Sequence, residues 1–390
     1  MIDPVPARRI TVVVTHPMTA RLLLAGQLRH LSESGFRVTL VTSPGPDLDD
    51  VGEKEGVEVR TLAMSRELSP WRDLISLIRL ARLLRRLRPD VVNAGTPKAG
   101  LLGLVAARLV GVPVRIYALR GLRVETASGL KRWLLLRAER WAASSAHRVL
   151  CVSGSLRRRA VELGVADEAK TAVPGAGSSN GVDVERFEAA AADRGRAREL
   201  RAELGLPDAA PVVGFVGRFT RDKGIAELAA AFDRISEELP EARLLLLGDF
   251  ETGDPVPPEL AERLRRDPRT VLPGFVPDTA PYYPLMDVLA LPSHREGFPN
   301  APLEAAAAGV PTVGARATGV VDAVVDGVTG ALVPVGDAEA LARALLAYLK
   351  DPELRRRHGE AARERVRREF RREVVWRAWE RAIRETVDRA

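Results

Sequence analysis

Pro211-Val212-Val213-Gly214-Phe215-Val216-Gly217-Arg218-Phe219-Thr220-Arg221-Asp222-Lys223-Gly224 is the stretch that decides the fold. A short apolar run turns at Gly217 and stops at Gly224, where a helical pattern begins. Strand, glycine-bearing loop and helix in that order make one βα unit. Glycines at 214 and 217 let backbone come close to a ligand. Arg218 and Lys223 set two cations beside a helix N-terminus, which suits a diphosphate. A glycine turn with two solvated cations is the plainer reading, and this stretch alone does not separate the two.

The same unit recurs in both directions. Downstream, 243–247, 270–272, 287–291, 311–313 and 331–333 read as strands with helices between them. Upstream, strands are expected at 10–15, 36–42, 57–62, 90–94, 113–119 and 148–153. A first helix runs to Ser34, where Gly35 stops it, and further helical patterns lie at 71–88, 98–110 and 129–145. Apolar strands joined by helices argue parallel sheets covered on both faces. The fold class is therefore α/β, with two doubly wound Rossmann-like domains. The first spans 1–187. Residues 188–210, rich in Ala, Arg and Glu with no strand, read as a connector helix and linker. The second domain spans 211–370, and 371–390 is a C-terminal helix. Asp337 is a plausible N-cap in this helical tail, and Pro352 suits the start of the next helix. In such sheets ligands bind beyond the carboxyl ends of the strands, and the cleft between two domains is the natural site.

Composition excludes several classes. The chain has 390 residues, 46% hydrophobic and 28% charged, which rules out disorder. Cys151 is the sole cysteine and glycine shows no period, so disulfide scaffolds and collagen are excluded. A lone cysteine suits a reducing cytoplasm. The apolar run 10–14 is too short for a signal segment. The stretch 101–114 is interrupted by Arg108 and falls short of the roughly 20 residues a membrane span needs. A cytoplasmic protein is expected, whose only membrane contact is peripheral.

The net charge of +7 is unevenly placed. Residues 1–190 hold 29 Lys+Arg against 19 Asp+Glu, a net of +10, and the remainder has a net of −3. Only six of the 59 basic residues are lysine. Nucleic acid is not an expected partner, because no recognition motif appears and no aromatic platform interleaves the charge.

A second motif, Glu296-Gly297-Phe298-Pro299-Asn300-Ala301-Pro302-Leu303-Glu304, also lies between a strand and a helix. Asn300 is a good N-cap, and Pro302 is tolerated in the first turn. Glu296 then sits in the loop and Glu304 on the helix, each able to bind a vicinal diol of the kind sugars and ribose present. A first-turn acid and a solvated loop charge are the plainer readings. Asp47-Leu48-Asp49 spells the acidic triplet of some metal-dependent transferases, but a polar loop after a strand makes it a solvated turn. No Cys/His cluster has metal-ligand spacing, so no metal is expected.

Together these motifs resemble the family-4 glycosyltransferases, retaining nucleotide-sugar enzymes of the two-domain GT-B fold. The resemblance rests on Glu296 and Glu304 separated by seven residues, on Gly217-Arg218 with Lys223-Gly224, on 319–337 with Asp326-Gly327, and on Asn180-Gly181-Val182-Asp183. It implies that Arg218 and Lys223 hold the donor diphosphate as charge builds on it, with no metal and no cofactor. It implies that Glu304 binds the ribose and Glu296 the transferred sugar, with Gly217 and the backbone of Gly297, Phe298, Pro299, Asn300 and Ala301 lining the pocket. Phe275 and Val276 would flank the nucleobase. The C-terminal helices would cross back to the first domain, and closure of the cleft would complete the site. The donor is expected to be a UDP-sugar, and retention to proceed by front-side attack.

The first half would bind the acceptor. Segments 93–100 and 120–129 resemble the bacterial polysaccharide branch, which extends lipid diphosphate-linked sugars. Lys98 and Arg120 are candidate acceptor-phosphate contacts, with solvated loop cations as the plainer reading. The usual glycine-rich loop after the first strand is replaced by His16-Pro17-Met18-Thr19, and the family's histidine near 119–120 is absent. His16 is a candidate acceptor-site group, or a structural loop histidine. Helix 71–88 carries Arg72, Arg79, Arg82 and Arg86 opposite Trp71, Leu74 and Ile78, and helix 129–145 joins Lys131, Arg132, Arg137 and Arg140 to Trp133 and Trp141. Such faces suit an anionic membrane surface, here the inner face of the plasma membrane. Ordinary layer helices with solvated arginines are the alternative. A soluble natural-product or aminocyclitol acceptor, a nucleotide-sugar epimerase and a non-catalytic sugar-nucleotide binder stay open as other functions.

Overall fold

The computed structural model describes residues 7–45, 48–64 and 69–390. The chain forms two compact units. One runs to Asn180 and includes Arg372–Ala390, and the other is Gly181–Arg371.

The first unit is built on seven strands: β1 (Arg9–Val13), β2 (Arg37–Thr42), β3 (Glu58–Thr61), β4 (Val91–Gly95), β5 (Val114–Leu119), β6 (Arg148–Cys151) and β7 (Thr171–Ala172). Their order is β3-β2-β1-β4-β5-β6-β7 and the ladders are parallel, with Val12 opposite both Leu40 and Asn93. The central strands are apolar on both faces because helices cover both: Ile10, Val13, Leu40, Val91 and Ile116 are fully buried. The two-residue β7 has no sequence signal to find.

The first helix departs from expectation. It splits into a π turn, Thr19–Leu23, and an α-helix, Gln27–Glu33. Gly26 makes the break at φ +77°, and a Cβ there would lie 2.4 Å from the Trp376 ring. Asp47 lies outside the described residues. Leu48 and Asp49 are not in a turn but open the helix Leu48–Glu55, where Asp49 and Asp50 in the first turn favour the helix dipole.

Helix Arg372–Asp388 packs within this unit. Trp379 is buried and its Nε1 donates to the Ser178 carbonyl at 3.0 Å. Trp376 Nε1 donates to Asn180 Oδ1 at 2.6 Å.

The second unit carries β8 (Val212–Val216), β9 (Arg243–Leu247), β10 (Thr270–Gly274), β11 (Val288–Leu291), β12 (Thr312–Ala315) and β13 (Gly330–Val333). Their order is β10-β9-β8-β11-β12-β13, again parallel. Phe215, Phe219, Phe232, Ile235 and Leu244 fill the core on one face. The 188–210 stretch is not a free connector. Helices Val184–Ala192 and Arg194–Glu203 belong to this unit, and Phe187 stacks edge-on against Tyr283 at 5.6 Å. Burying Phe187 recruits the segment into the domain. Asp337 and Asp351 cap the helices Ala338–Lys350 and Pro352–Glu369. Each sheet reverses its strand order once, between β1 and β4 and between β8 and β11, and these reversals mark the ligand-binding edges.

Candidate functional site

At the β8/β11 edge, Gly217 closes β8 and donates to the Leu247 carbonyl at 2.9 Å. Arg218 is more than half exposed and pairs with Glu251 at 2.7 Å. Lys223 ends the short turn Arg221–Lys223, and its Nζ pairs with Glu296 Oε1. These two side chains are only 18% and 12% exposed, so the pair is sheltered from water. Arg218 and Lys223, expected together on one diphosphate, are therefore engaged by different partners.

The Lys223–Glu296 pair is held from below. Asp222 accepts from the Thr220 hydroxyl at 2.6 Å and from Arg295 at 2.7 Å. Its carbonyl accepts from the His294 N–H at 2.9 Å. Burial opposes ionisation of Asp222, but the Thr220 hydroxyl and the cations Arg295, Lys223 and Arg218 outweigh it and hold the carboxyl below its ordinary range. Asp222 and Arg295 thus strap the loop after β8 to the loop after β11. Sequence reading missed both, because a strap between loops 73 residues apart has no periodic signature.

The Glu296 loop is also fixed from the other side. Its N–H donates to the Thr318 carbonyl at 3.0 Å. Gly319 sits at φ +78°, and a Cβ there would lie 2.4 Å from the Gly297 carbonyl oxygen. Only glycine fits that approach.

Helix Ala301–Ala308 follows. Asn300 occupies the N-cap position, but its side chain makes no cap bond. Its φ and ψ are helical, and its carbonyl accepts from Leu303 and Glu304. Glu304 Oε2 accepts from the Tyr283 hydroxyl at 2.7 Å and from the Thr279 hydroxyl at 3.2 Å. Burial, with Glu304 beside it, pushes the Tyr283 hydroxyl far above its ordinary value, so Tyr283 stays a donor. Tyr283 and Thr279 come from an irregular segment around Ala280–Leu285, which no pattern singled out. Phe298 and Pro299 are buried, and Phe298 packs its ring 5.2 Å from Phe370. The Phe298 side chain is thus committed to the core. Phe275, 64% exposed, and half-buried Val276 follow β10.

The β1/β4 edge of the first unit is different. His16 Nδ1 accepts from the Met18 N–H at 3.1 Å, and His16 lines a cavity of about 210 Å³ with Thr15, Arg21 and Met64. Lys98 is 10% exposed and pairs with Asp73 at 2.7 Å, so the ammonium expected to meet acceptor phosphate is held by a carboxylate. Arg120 stands otherwise. Its Nε and Nη1 atoms are buried and meet no acceptor among the described residues, and its guanidinium lies 5.7 Å from the Trp379 ring. Burial pushes it down to about 10, which leaves it protonated at neutral pH.

Among the described residues, no group of three or more His, Cys, Asp or Glu could hold a metal ion, and no helix is long and apolar enough to cross a membrane.

The model of the glycosyl transferases group 1 matches residues 196–365, and that of the glycosyl transferase 4-like domain matches 21–177. The chain is 36% identical to the capsular polysaccharide biosynthesis glycosyltransferase CapM of Staphylococcus aureus, over 91% of each chain. It is 28% identical to the UDP-Gal:alpha-D-GlcNAc-diphosphoundecaprenol alpha-1,3-galactosyltransferase of Escherichia coli, over 82% of each. It is 31% identical to the 2-deoxystreptamine glucosyltransferase of Streptomyces kanamyceticus, over 83% of this chain and 88% of that one. Anabaena HepE in complex with UDP-glucose shares the fold, with a TM-score of 0.79 at 20% identity over 98% of this chain and all of that one. These matches and the two doubly wound sheets make this chain a member of the group 1 (family-4) glycosyltransferases of the GT-B fold, in their bacterial polysaccharide branch.

Proposed function

We propose that the protein is a retaining, metal-independent transferase. It moves a hexosyl group from a UDP-sugar to a hydroxyl of a lipid diphosphate-linked saccharide at the cytoplasmic face of the membrane. The observation that carries the donor half is the sheltered Lys223–Glu296 pair, strapped in place by Asp222 and Arg295. A donor would divide that pair: diphosphate oxygens take the Lys223 ammonium, and hydroxyls of the transferred sugar donate to Glu296. Arg218, at the exposed rim, would turn from Glu251 to the diphosphate. Cations already in place stabilise the charge that grows on the leaving diphosphate without reorganising. No cofactor has a part in this scheme. Glu304, oriented by Tyr283 and Thr279, would accept from the ribose hydroxyls, and Phe275 and Val276 would flank the base. Backbone at Gly217 and at 297–301 would line the pocket.

For the acceptor, a cation with two buried N–H groups that lack acceptors is what a diphosphate would satisfy, and Arg120 is that group. Lys98, locked to Asp73, would act by tying the starts of helices Pro97–Leu109 and Pro70–Leu87 together, and His16 would line the entry. The Escherichia coli relative, whose name specifies a diphosphoundecaprenol acceptor, supports this reading. The deoxystreptamine relative supports a soluble aminocyclitol acceptor as the second reading. Mass spectrometry of products from a mixed acceptor panel separates the two. The donor half is tested by calorimetric titration of UDP-sugars in EDTA. Glu304→Gln should weaken binding about tenfold, the cost of one charge-assisted hydrogen bond. Wild-type affinity in that variant would misplace the ribose site, and turnover that strictly requires added divalent metal would end the metal-independent reading.

A further inference from the structure

Helix Pro70–Leu87 has two apolar faces. One packs inward through Leu80 and Leu84, both fully buried. The other points to solvent: Trp71 is 80% exposed, and Leu74, Ile75 and Ile78 are each more than 40% exposed. Positions 71, 74, 75 and 78 share one stripe at the i, i+3, i+4, i+7 spacing. The helix thus packs in its layer through Leu80 and Leu84, and the face with Trp71, Leu74 and Ile78 is not the one that packs.

Helix Gly129–Ser145 repeats the arrangement. Leu130 is 72%, Trp133 55% and Trp141 69% exposed, with Leu134 beside them. Both helices pack against helix Pro97–Leu109, so the three lie in one layer. All three follow strands of a parallel sheet and begin at its carboxyl edge, where Lys98 in the first turn of helix Pro97–Leu109 and Arg120 just after β5 also lie. The exposed tryptophans Trp71, in the first turn of its helix, and Trp133, at the start of the second turn of its own, lie towards that same edge.

Charge on the two helices has one sign at the surface. Their only acids are Asp73, paired with Lys98, and Glu139, buried against Tyr117. Arg72, Arg79, Arg82, Lys131 and Arg137 are exposed, and no carboxylate among the described residues pairs with them. Arg137 lies 5.3 Å from the Trp133 ring. Exposed tryptophan and leucine among unpaired cations, with no free acid, match the boundary between lipid headgroups and acyl chains.

We propose that these outer faces of helices Pro70–Leu87 and Gly129–Ser145 form a docking surface for an anionic lipid bilayer. Docked, they hold the carboxyl edge of the seven-stranded sheet, with Arg120, at headgroup depth. The proposal rests on the lipid-linked acceptor reading and gives it an address.

The test is co-sedimentation of the full chain with vesicles of phosphatidylglycerol or of phosphatidylcholine, at low and high salt. Binding should favour phosphatidylglycerol and weaken with salt, since each basic residue near an anionic surface is worth about fivefold in partition. The double variant Trp71→Ser, Trp133→Ser should lose at least about tenfold in binding while keeping the thermal midpoint of the wild type, because both side chains are exposed. Arg72→Glu with Arg79→Glu should remove most of the salt dependence. No binding to phosphatidylglycerol at low salt would overturn the proposal. So would wild-type binding in the tryptophan variant, or a wild-type dimer in sedimentation velocity that the same variant dissociates, which would make the face a self-interface. UDP-sugar affinity measured on the same samples keeps the two ideas apart. Donor binding without vesicle binding removes only the surface, and vesicle binding without donor binding removes the transferase reading and leaves the surface standing.

Discussion

At the carboxyl edge of the six-stranded sheet, Lys223 meets Glu296, Arg295 meets Asp222, Arg218 meets Glu251, and Glu304 takes hydroxyls from Tyr283 and Thr279. At the same edge of the seven-stranded sheet, Arg120 keeps buried N–H groups without acceptors, and eight large apolar side chains along two helices that begin there stand exposed. One edge is closed on itself and the other is left unfinished. A site that meets one invariant ligand, a nucleoside diphosphate, gains from groups held in place before it arrives. On the proposed function, a half that meets a lipid-borne acceptor would leave polar and apolar surface for that partner to cover.

The sharpest way to break this contrast is to open the closed edge. Lys223→Ala should lower kcat by about a hundredfold or more, the scale of losing a group that stabilises developing charge. It also leaves Glu296 sheltered without its counter-ion, which should cost about 3 kcal/mol of stability. The double variant Lys223→Ala, Glu296→Ala should regain most of that stability and none of the activity. A thermal-unfolding series beside steady-state kinetics reads both. A single variant that unfolds like wild type would show that the pair is not a sheltered unit.

The closed edge was legible in the sequence and the unfinished one was not, for a physical reason. Lys223, Glu296 and Glu304 lie on strand–loop–helix units whose glycines and prolines punctuate the chain, so spacing alone placed them at one edge. The supports Asp222, Arg295 and Tyr283 were invisible, because contact between loops leaves no period. In the first unit, helix 71–88 carries apolar residues on two faces. Composition cannot say which face the sheet takes, and only burial of Leu80 and Leu84 showed Trp71 and Ile78 to be outside. Lys98 and Arg120 looked alike as loop cations. A carboxylate 25 residues away, Asp73, sets them apart.

Two buried carboxylates extend the comparison to pH. Asp222 in the second unit is held low, and its stabilising ionised form is lost only as pH falls through that low range. Glu139 in the first unit is pushed from 4.5 to about 7 by burial, against the pull of the Tyr117 hydroxyl at 2.6 Å. Between those values the folded chain holds a proton that the unfolded chain has released, so stability falls as pH rises from 4.5 to 7 and is level above. The total is up to about 3 kcal/mol. Glu139→Gln keeps a partner for Tyr117 and cannot ionise, so its advantage over wild type should grow through this window. Denaturant titrations across the range check it, and parallel curves for the two proteins would place the slope elsewhere.

The smallest effect has the opposite sign to the first. Arg120→Met removes buried N–H groups that meet no acceptor, relieving a cost of 1–3 kcal/mol by the usual scale, and forfeits the contact with Trp379. The balance should be a gain of about 1 kcal/mol in stability. Donor affinity should be unchanged, because every group assigned to the donor lies in the second unit. The acceptor KM should rise about tenfold, the loss of a charge-assisted hydrogen bond to phosphate. A stabilised enzyme that has lost its acceptor is the signature of a residue kept for its ligand, at a cost to the fold. If Arg120→Met is instead destabilised with its acceptor KM intact, Arg120 is a packing cation on Trp379 and the first unit is as finished as the second.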